Sequence, residues 1–193
     1  MLNWFKNIDF WLFKVINQEL ASETLDVFMA AMSNKFLWIP LYLLILLFLI
    51  KQYGRISWLY ILTLILAVSS ADLISSKLMK PGFERTRPCN IVELNPRLPI
   101  GKSPSYGFVS SHAANHAAVA TFVILAFSLR RWKKAAFVIW AVLIAYSRVY
   151  LGKHFFFDVF FGALLGILLA YFWWFVANLT KKKWLSQPIK AEH

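Results

Sequence analysis

Cysteine, charge and acidity are all scarce in this 193-residue chain. Cys89 is the single cysteine, which excludes an intrachain disulfide and leaves the redox compartment undetermined. Charged residues make up 16% and hydrophobic residues 60%, against roughly 25% and 45–50% in soluble domains. With a mean hydropathy of +0.58, an ordinary soluble domain is excluded. Only 9 acidic residues face 21 lysines and arginines, for a net charge of +12. That surplus would suit nucleic acid, but no soluble basic domain exists to hold it, so no nucleic-acid partner is expected. The amino-terminal segment is broken by Lys6, Asp9 and Lys14 and lacks the small-residue cleavage site of a signal peptide. There is no internal repeat and no low-complexity tract.

What is present is apolar sequence in long runs. Five stretches approach the roughly 20 residues that a bilayer core requires: 36–50, 56–76, 111–129, 135–151 and 155–178. Ahead of them, residues 3–18 put Trp4, Phe5, Ile8, Trp11, Leu12, Val15 and Ile16 on one helical side. Lys6, Asn7, Lys14 and Asn17 fall largely on the other, the pattern of an interfacial amphipathic helix. A second short helix over about 22–33 opens on the capping-like Ser22-Glu23-Thr24. The reading is an all-α, polytopic membrane protein with five to six transmembrane helices and an N-terminal interfacial helix. It forms a single domain: interfacial helices over 1–34, a transmembrane core over 36–178 and a basic tail over 179–193.

Basic residues set the orientation. Lys51 and Arg55, then Arg130, Arg131, Lys133 and Lys134, then Lys181, Lys182, Lys183 and Lys190 fall on one side when five spans alternate. That side is expected to be cytoplasmic, with the carboxyl terminus. The 77–110 loop and the 152–154 turn then lie outside, with the amino-terminal segment. The loop holds five of the seven prolines and three of the seven glycines, so it reads as a structured, functional loop rather than a span.

Three outer clusters carry chemistry. Lys80 and Arg87-Pro88 follow the second span, and Ser110-Ser111-His112 opens the third. Arg148, His154 and Asp158 flank the turn between the fourth and fifth. His154 and Asp158, four apart, share a helical face, and a carboxylate on one imidazole nitrogen leaves the other a better nucleophile or base. A helix N-terminus seats phosphate. Three cations, that N-terminus and two histidines at one face suit phosphoryl transfer. The residues alone leave open which histidine attacks.

In this order and spacing, Lys80-x6-Arg87-Pro88, Ser110-Ser111-His112 and Ser147-Arg148-x5-His154-x3-Asp158 resemble the tripartite signature of the type 2 phosphatidic acid phosphatase superfamily. The motifs cover 80–158, and the span pattern extends the likeness over most of the chain. Val109 and Ser111 stand where the family usually has proline and glycine, which bears on the shape of the pocket. Asp9, Leu12, Asn17 and Leu25-Asp26 add a looser likeness to small bacterial members, which implies the cytoplasmic membrane of a bacterium and an active site facing the periplasm or exterior. The resemblance implies that His154 attacks phosphorus and forms a phosphohistidine, that Asp158 orients it, and that His112 protonates the leaving oxygen and then activates water. Lys80, Arg87, Arg148, Ser110 and the Ser111 backbone N–H would hold the phosphate. No metal and no cofactor is implied.

The expected function is hydrolysis of a membrane lipid phosphate or diphosphate: a polyprenyl diphosphate, phosphatidic acid, phosphatidylglycerophosphate or lipid A phosphate. The likeness to small bacterial members leans slightly to the polyprenyl diphosphate. The partners expected are that lipid and the bilayer. Two rivals are a metal-dependent hydrolase using His112, His116 and His154, and a non-catalytic lipid-phosphate-binding protein. His116 reads as a packed polar residue with Asn115, Arg85 as a solvated loop charge, and Cys89 as a small filler. Asp72 either braces a site cation or sits at head-group depth.

Overall fold

A computed structural model describes residues 2–185; Lys190 and the rest of the expected tail beyond 185 lie outside the described residues. Among the described residues the chain is all-helical, with no strand. Helix α1 spans Leu2–Lys14 and runs into a widened π turn, Val15–Glu19. Helix α2, Glu23–Ser33, is capped by Ser22, whose hydroxyl accepts the Leu25 N–H. Helix α3, Ile39–Tyr53, carries Pro40 in its first turn, where a missing N–H costs nothing. Gly54, at φ 53°, breaks it from α4, Ser57–Leu73. A second π turn, Ile74–Met79, leads to the short α5, Lys80–Phe83. After the long loop come α6, Ser111–Ala126, α7, Arg131–Tyr150, and α8, Phe156–Leu185.

Each of the five expected spans falls on one of α3, α4, α6, α7 and α8. Among the described residues, two helical stretches are long and apolar enough to cross a membrane: Lys35–Phe83, which contains α3 and α4, and Phe156–Lys182. Helix α6 does not reach that standard because it has 16 residues, many of them alanine, with two histidines. Helix α7 gives its first turns to Arg131, Lys133 and Lys134. Large apolar side chains such as Leu47, Phe48, Ile65, Leu168 and Phe175 are exposed on the outer faces of the apolar helices.

Helix α6 is the centre of the bundle. Ala113, Ala114, Ala117, Ala118 and Ala120 are buried in it, and small side chains let neighbouring backbones approach. On α8 the matching positions are Gly162 and Gly166. A Cβ at Gly162 would stand 2.5 Å from the Ser110 carbonyl oxygen, and one at Gly166 would stand 2.0 Å from that of Ala114. The start of α6 and the first turns of α8 are therefore locked together.

Helix α1 corrects the sequence expectation about its faces. Its buried stripe is Asp9, Phe13 and Asn17, while Trp4 and Trp11 are 61% and 64% exposed. Asn17, expected on the polar side, is fully buried because it binds main chain from two other segments. Its Nδ2 donates to the carbonyls of Arg97 (2.9 Å) and Tyr150 (2.7 Å), and its Oδ1 accepts the Arg97 N–H (2.9 Å). Asp26 takes the Arg97 guanidinium and the Tyr150 hydroxyl, both at 2.8 Å. The two amino-terminal helices thus strap the long loop to the end of α7.

Candidate active site

Four helix ends meet at one end of the bundle: the turn into α5, the start of α6, the end of α7 and the start of α8. Basic residues gather at the opposite end, where the Tyr53 hydroxyl donates to the Ala126 carbonyl and the Lys181 ammonium lies 6.0 Å from the Tyr60 ring.

Ser110 is the N-cap of α6; its hydroxyl faces the Ala113 N–H at 3.5 Å. Its own N–H donates to the Asp158 carbonyl at 2.9 Å, which ties the α6 start to α8. At Gly107, in the loop just before, a Cβ would stand 3.1 Å from Asp158 Oδ2, a tighter approach than ordinary contact.

Arg87 is 5% exposed. Its Nε donates to the carbonyls of Ser105 (2.7 Å) and Tyr106 (3.1 Å). Nη2 reaches Ser105 Oγ at 2.9 Å, and Nη1 reaches the Lys153 carbonyl at 3.1 Å. The same Nη1 stands 3.2 Å from His154 Nε2. The other ring nitrogen of His154, Nδ1, faces Asp158 Oδ2 across 3.5 Å, too far for a hydrogen bond, and has no partner. Burial pushes the His154 pKa well below its ordinary value, and the charges of Arg87, Arg148 and Lys80 push the same way. Burial likewise draws the Arg87 guanidinium below its usual pKa.

Lys80 and Ser111 meet directly. Lys80 Nζ donates to Ser111 Oγ at 3.0 Å, and Ser75 Oγ donates to the same oxygen at 2.8 Å. Arg148, 8% exposed, bonds Ser33 Oγ through Nη1 and leaves its Nε without a partner. His112 is half-buried at the first turn of α6, its ring centroid 6.2 Å from that of His116. Each predicted site residue therefore lies at one of the four converging helix ends or in the adjoining loop.

His116 is occupied elsewhere. A carbonyl only accepts, so His116 Nδ1 donates to the His112 carbonyl at 2.7 Å, and Nε2 takes the Tyr42 hydroxyl at 3.0 Å. Neither nitrogen has a lone pair left for a metal. Asp72 accepts from Asn115 Nδ2 at 3.2 Å, and its charge also favours the Lys80 ammonium.

Sequence reasoning missed Arg85, which is not a solvated loop charge. Its Nη1 donates to Asp158 Oδ1 at 2.6 Å and its Nη2 pairs with Asp9. Asp9 Oδ1 accepts the Phe157 N–H at 3.0 Å. Beside Arg85 opens a groove of about 1060 Å³ lined by Phe5, Phe10, Phe83, Phe108, Phe155 and Phe161, among others.

A buried imidazole facing a guanidinium, with two further cations and a free helix N-terminus at hand, can hold a phosphate group against a nitrogen nucleophile. The family model of the PAP2 superfamily matches residues 57–181, which spans all three motifs. The chain belongs to the PAP2 superfamily. A lipid A 4'-phosphatase of Bacteroides thetaiotaomicron is 30% identical over 100% of this chain and 87% of that protein. An undecaprenyl-diphosphatase of Sulfolobus acidocaldarius is 30% identical over 93% of this chain and 84% of that protein. The crystal structure of Aquifex aeolicus LpxE superposes with a TM-score of 0.64 at 29% identity, covering 84% of this chain and 92% of that one. The named relatives are phosphatases, and this PAP2 chain is an enzyme of that class, a hydrolase of phosphate esters.

Proposed function

We propose that this PAP2 protein is a metal-independent membrane lipid phosphatase working through a phosphohistidine, with His154 as nucleophile. The observation that carries the reading is the 3.2 Å contact between His154 Nε2 and Arg87 Nη1. Guanidinium only donates, so Nε2 turns a lone pair toward it, at the point where an anion would sit. Lys80, Arg87 and Arg148 supply positive charge, and the α6 N-terminus supplies the hydroxyl of Ser110 and the N–H of Ser111.

In the first step the Nε2 lone pair forms the N–P bond as the bond from phosphorus to the leaving oxygen breaks. His112 gives that oxygen its proton. In the second step His112 takes a proton from water, the hydroxide bonds to phosphorus, and the N–P bond breaks to release inorganic phosphate. Asp158 orients the imidazole. The commitment of both His116 nitrogens disfavours a metal site built on His112, His116 and His154.

We read the protein as a single domain, with residues 1–34 at the membrane interface or supplying a sixth span, 36–178 forming five spans, and 179–193 in the cytoplasm. The site then faces the exterior, at the depth of lipid head groups. The substrate is a lipid carrying a terminal phosphate or diphosphate. The likeness to a lipid A 4'-phosphatase over the whole chain supports a lipid A-type phosphate monoester, ahead of the polyprenyl diphosphate toward which the likeness to small bacterial members leans. The test is phosphate release from a panel of lipid phosphates in EDTA, with parent and His154→Ala side by side. Release by the parent and silence from the variant support the reading; an active His154→Ala rejects the nucleophile, and dependence on added zinc rejects the metal-free mechanism.

A further inference from the structure

Arg85 stands outside the phosphate seat yet touches the carboxylate beside His154. Its terminal nitrogens diverge, Nη1 to Asp158 Oδ1 at 2.6 Å and Nη2 to Asp9 Oδ2. The guanidinium carbon lies 4.7 Å from the centroid of the Phe155 ring, which fixes the plane of the fork. Asp9 is 1% exposed and Asp158 is fully buried. Both take an N–H at the start of α8: Phe157 donates to Asp9 Oδ1 at 3.0 Å, and Phe155 donates to Asp158 Oδ2 at 2.9 Å. Two carboxylates, one on α1 and one on α8, thus share a single cation.

We infer that Asp9 and Arg85 are positioning residues of the catalytic centre, and that α1 supplies through them the negative charge that the nucleophile requires. The inference rests on the reading of His154 as nucleophile. When Nε2 bonds to phosphorus, the imidazole becomes cationic, with Nδ1–H facing Asp158. Asp158 and Arg85 alone form a neutral pair with nothing left to balance that charge. Adding Asp9 makes the trio a net anion, while Arg85 keeps the two carboxylates from repelling each other at close range. Arg87 meets the opposite ring nitrogen of His154 and the charges of Arg148 and Lys80 act on it as well, so the trio is the counterweight to a strongly positive pocket.

The test compares parent, Asp9→Asn, Arg85→Gln and the double variant in the same phosphate-release assay, with His154→Ala beside them. Asn at position 9 keeps an oxygen for the Phe157 N–H and removes only the charge. We expect Asp9→Asn to lower kcat about tenfold, the scale seen when a partner that orients a histidine is lost, with KM moved by less than about twofold. The double variant restores the net anion on Asp158 alone, so its kcat rises above that of Asp9→Asn. A purely structural role predicts the reverse, a double variant worse than either single one. Parent-like kcat in Asp9→Asn, or no recovery in the double variant, overturns the inference. Activity in His154→Ala overturns the nucleophile reading and this inference with it. Should Asp9→Asn fail to fold, Asp9→Gln serves, since it removes the same charge and keeps an amide oxygen; parent-like kcat there is equally fatal. If no lipid offered is hydrolysed, orthovanadate affinity replaces kcat: about tenfold weaker binding to Asp9→Asn is expected, and equal binding rejects the inference.

Discussion

Arg87 Nη1 points at His154 Nε2 from 3.2 Å, and the rest of its guanidinium is fixed by oxygens of Ser105, Tyr106 and Lys153. The arrangement assigns the imidazole proton to Nδ1, on the side of Asp158. It also means that the Nε2 lone pair faces a cation, as the proposed nucleophile's would until an anion arrives between them.

Arg87→Lys should therefore be far from conservative. An ammonium cannot copy four directed bonds from one plane. Loss of one preorganised donor at developing charge costs about 10²–10³ in kcat, and phosphate-release kinetics should show a loss of that size.

The depressed pKa of His154 has two consequences of defined sign. The folded ring stays unprotonated below the ordinary value of 6.5, while the unfolded chain takes up a proton there. Stability is thus fully present above 6.5 and falls as pH drops from 6.5 toward the folded pKa, by up to about 1.4 kcal/mol per pH unit. Thermal melts in detergent from pH 8 to pH 5 read this directly. The rate should not be lost at 6.5 on account of His154, and an acid limb centred at 6.5 that vanishes on altering His154 would contradict the assignment.

Ser111 stands at the glycine position of the motif and bonds Lys80 Nζ at 3.0 Å. Ser111→Gly removes the hydroxyl that accepts from the Lys80 ammonium and from Ser75, and a hydrogen bond to a charged group is worth about 1.5–3 kcal/mol. The expected result is a change in KM of about tenfold or more with kcat nearly kept, measured on the preferred lipid. A collapse of kcat would mean that the hydroxyl takes part in the chemistry.

Gly166→Ala is predicted to destabilise by at least about 1–3 kcal/mol, the usual cost of overpacking, because the added carbon would lie 2.0 Å from the Ala114 carbonyl oxygen. Melting temperature and monodispersity in detergent are the readouts, and a parent-like melt would contradict the packing described.

How much of this was legible in the sequence depended on the distance over which each feature is written. His154 and Asp158 are four apart in sequence and the Ser110 cap is local, so pattern alone brings them together, although His154 lies just ahead of α8 rather than on a shared helical face. The pairing of Arg85 with Asp9 and Asp158 joins residues 76 and 73 positions apart, and no periodicity encodes it. Asn17 was misassigned for a related reason: hydropathy counts an amide as polar, whereas here it is buried because main-chain groups of two distant segments complete it. The span pattern located the helices, but α6 owes its interior position to alanine packing rather than to apolarity.

The close contact of Gly162 and Gly166 with the α6 backbone leaves α6 and α8, the helices that carry Ser111 and Asp158, no freedom to slide. On the proposed reading, whatever distinguishes one lipid from another then resides in parts that are free to vary, chiefly the connection between Asn90 and Pro104 and the rim of aromatic rings beside it. Grafting that connection between relatives is accordingly a route to exchanging their substrate preferences while the reaction itself stays untouched.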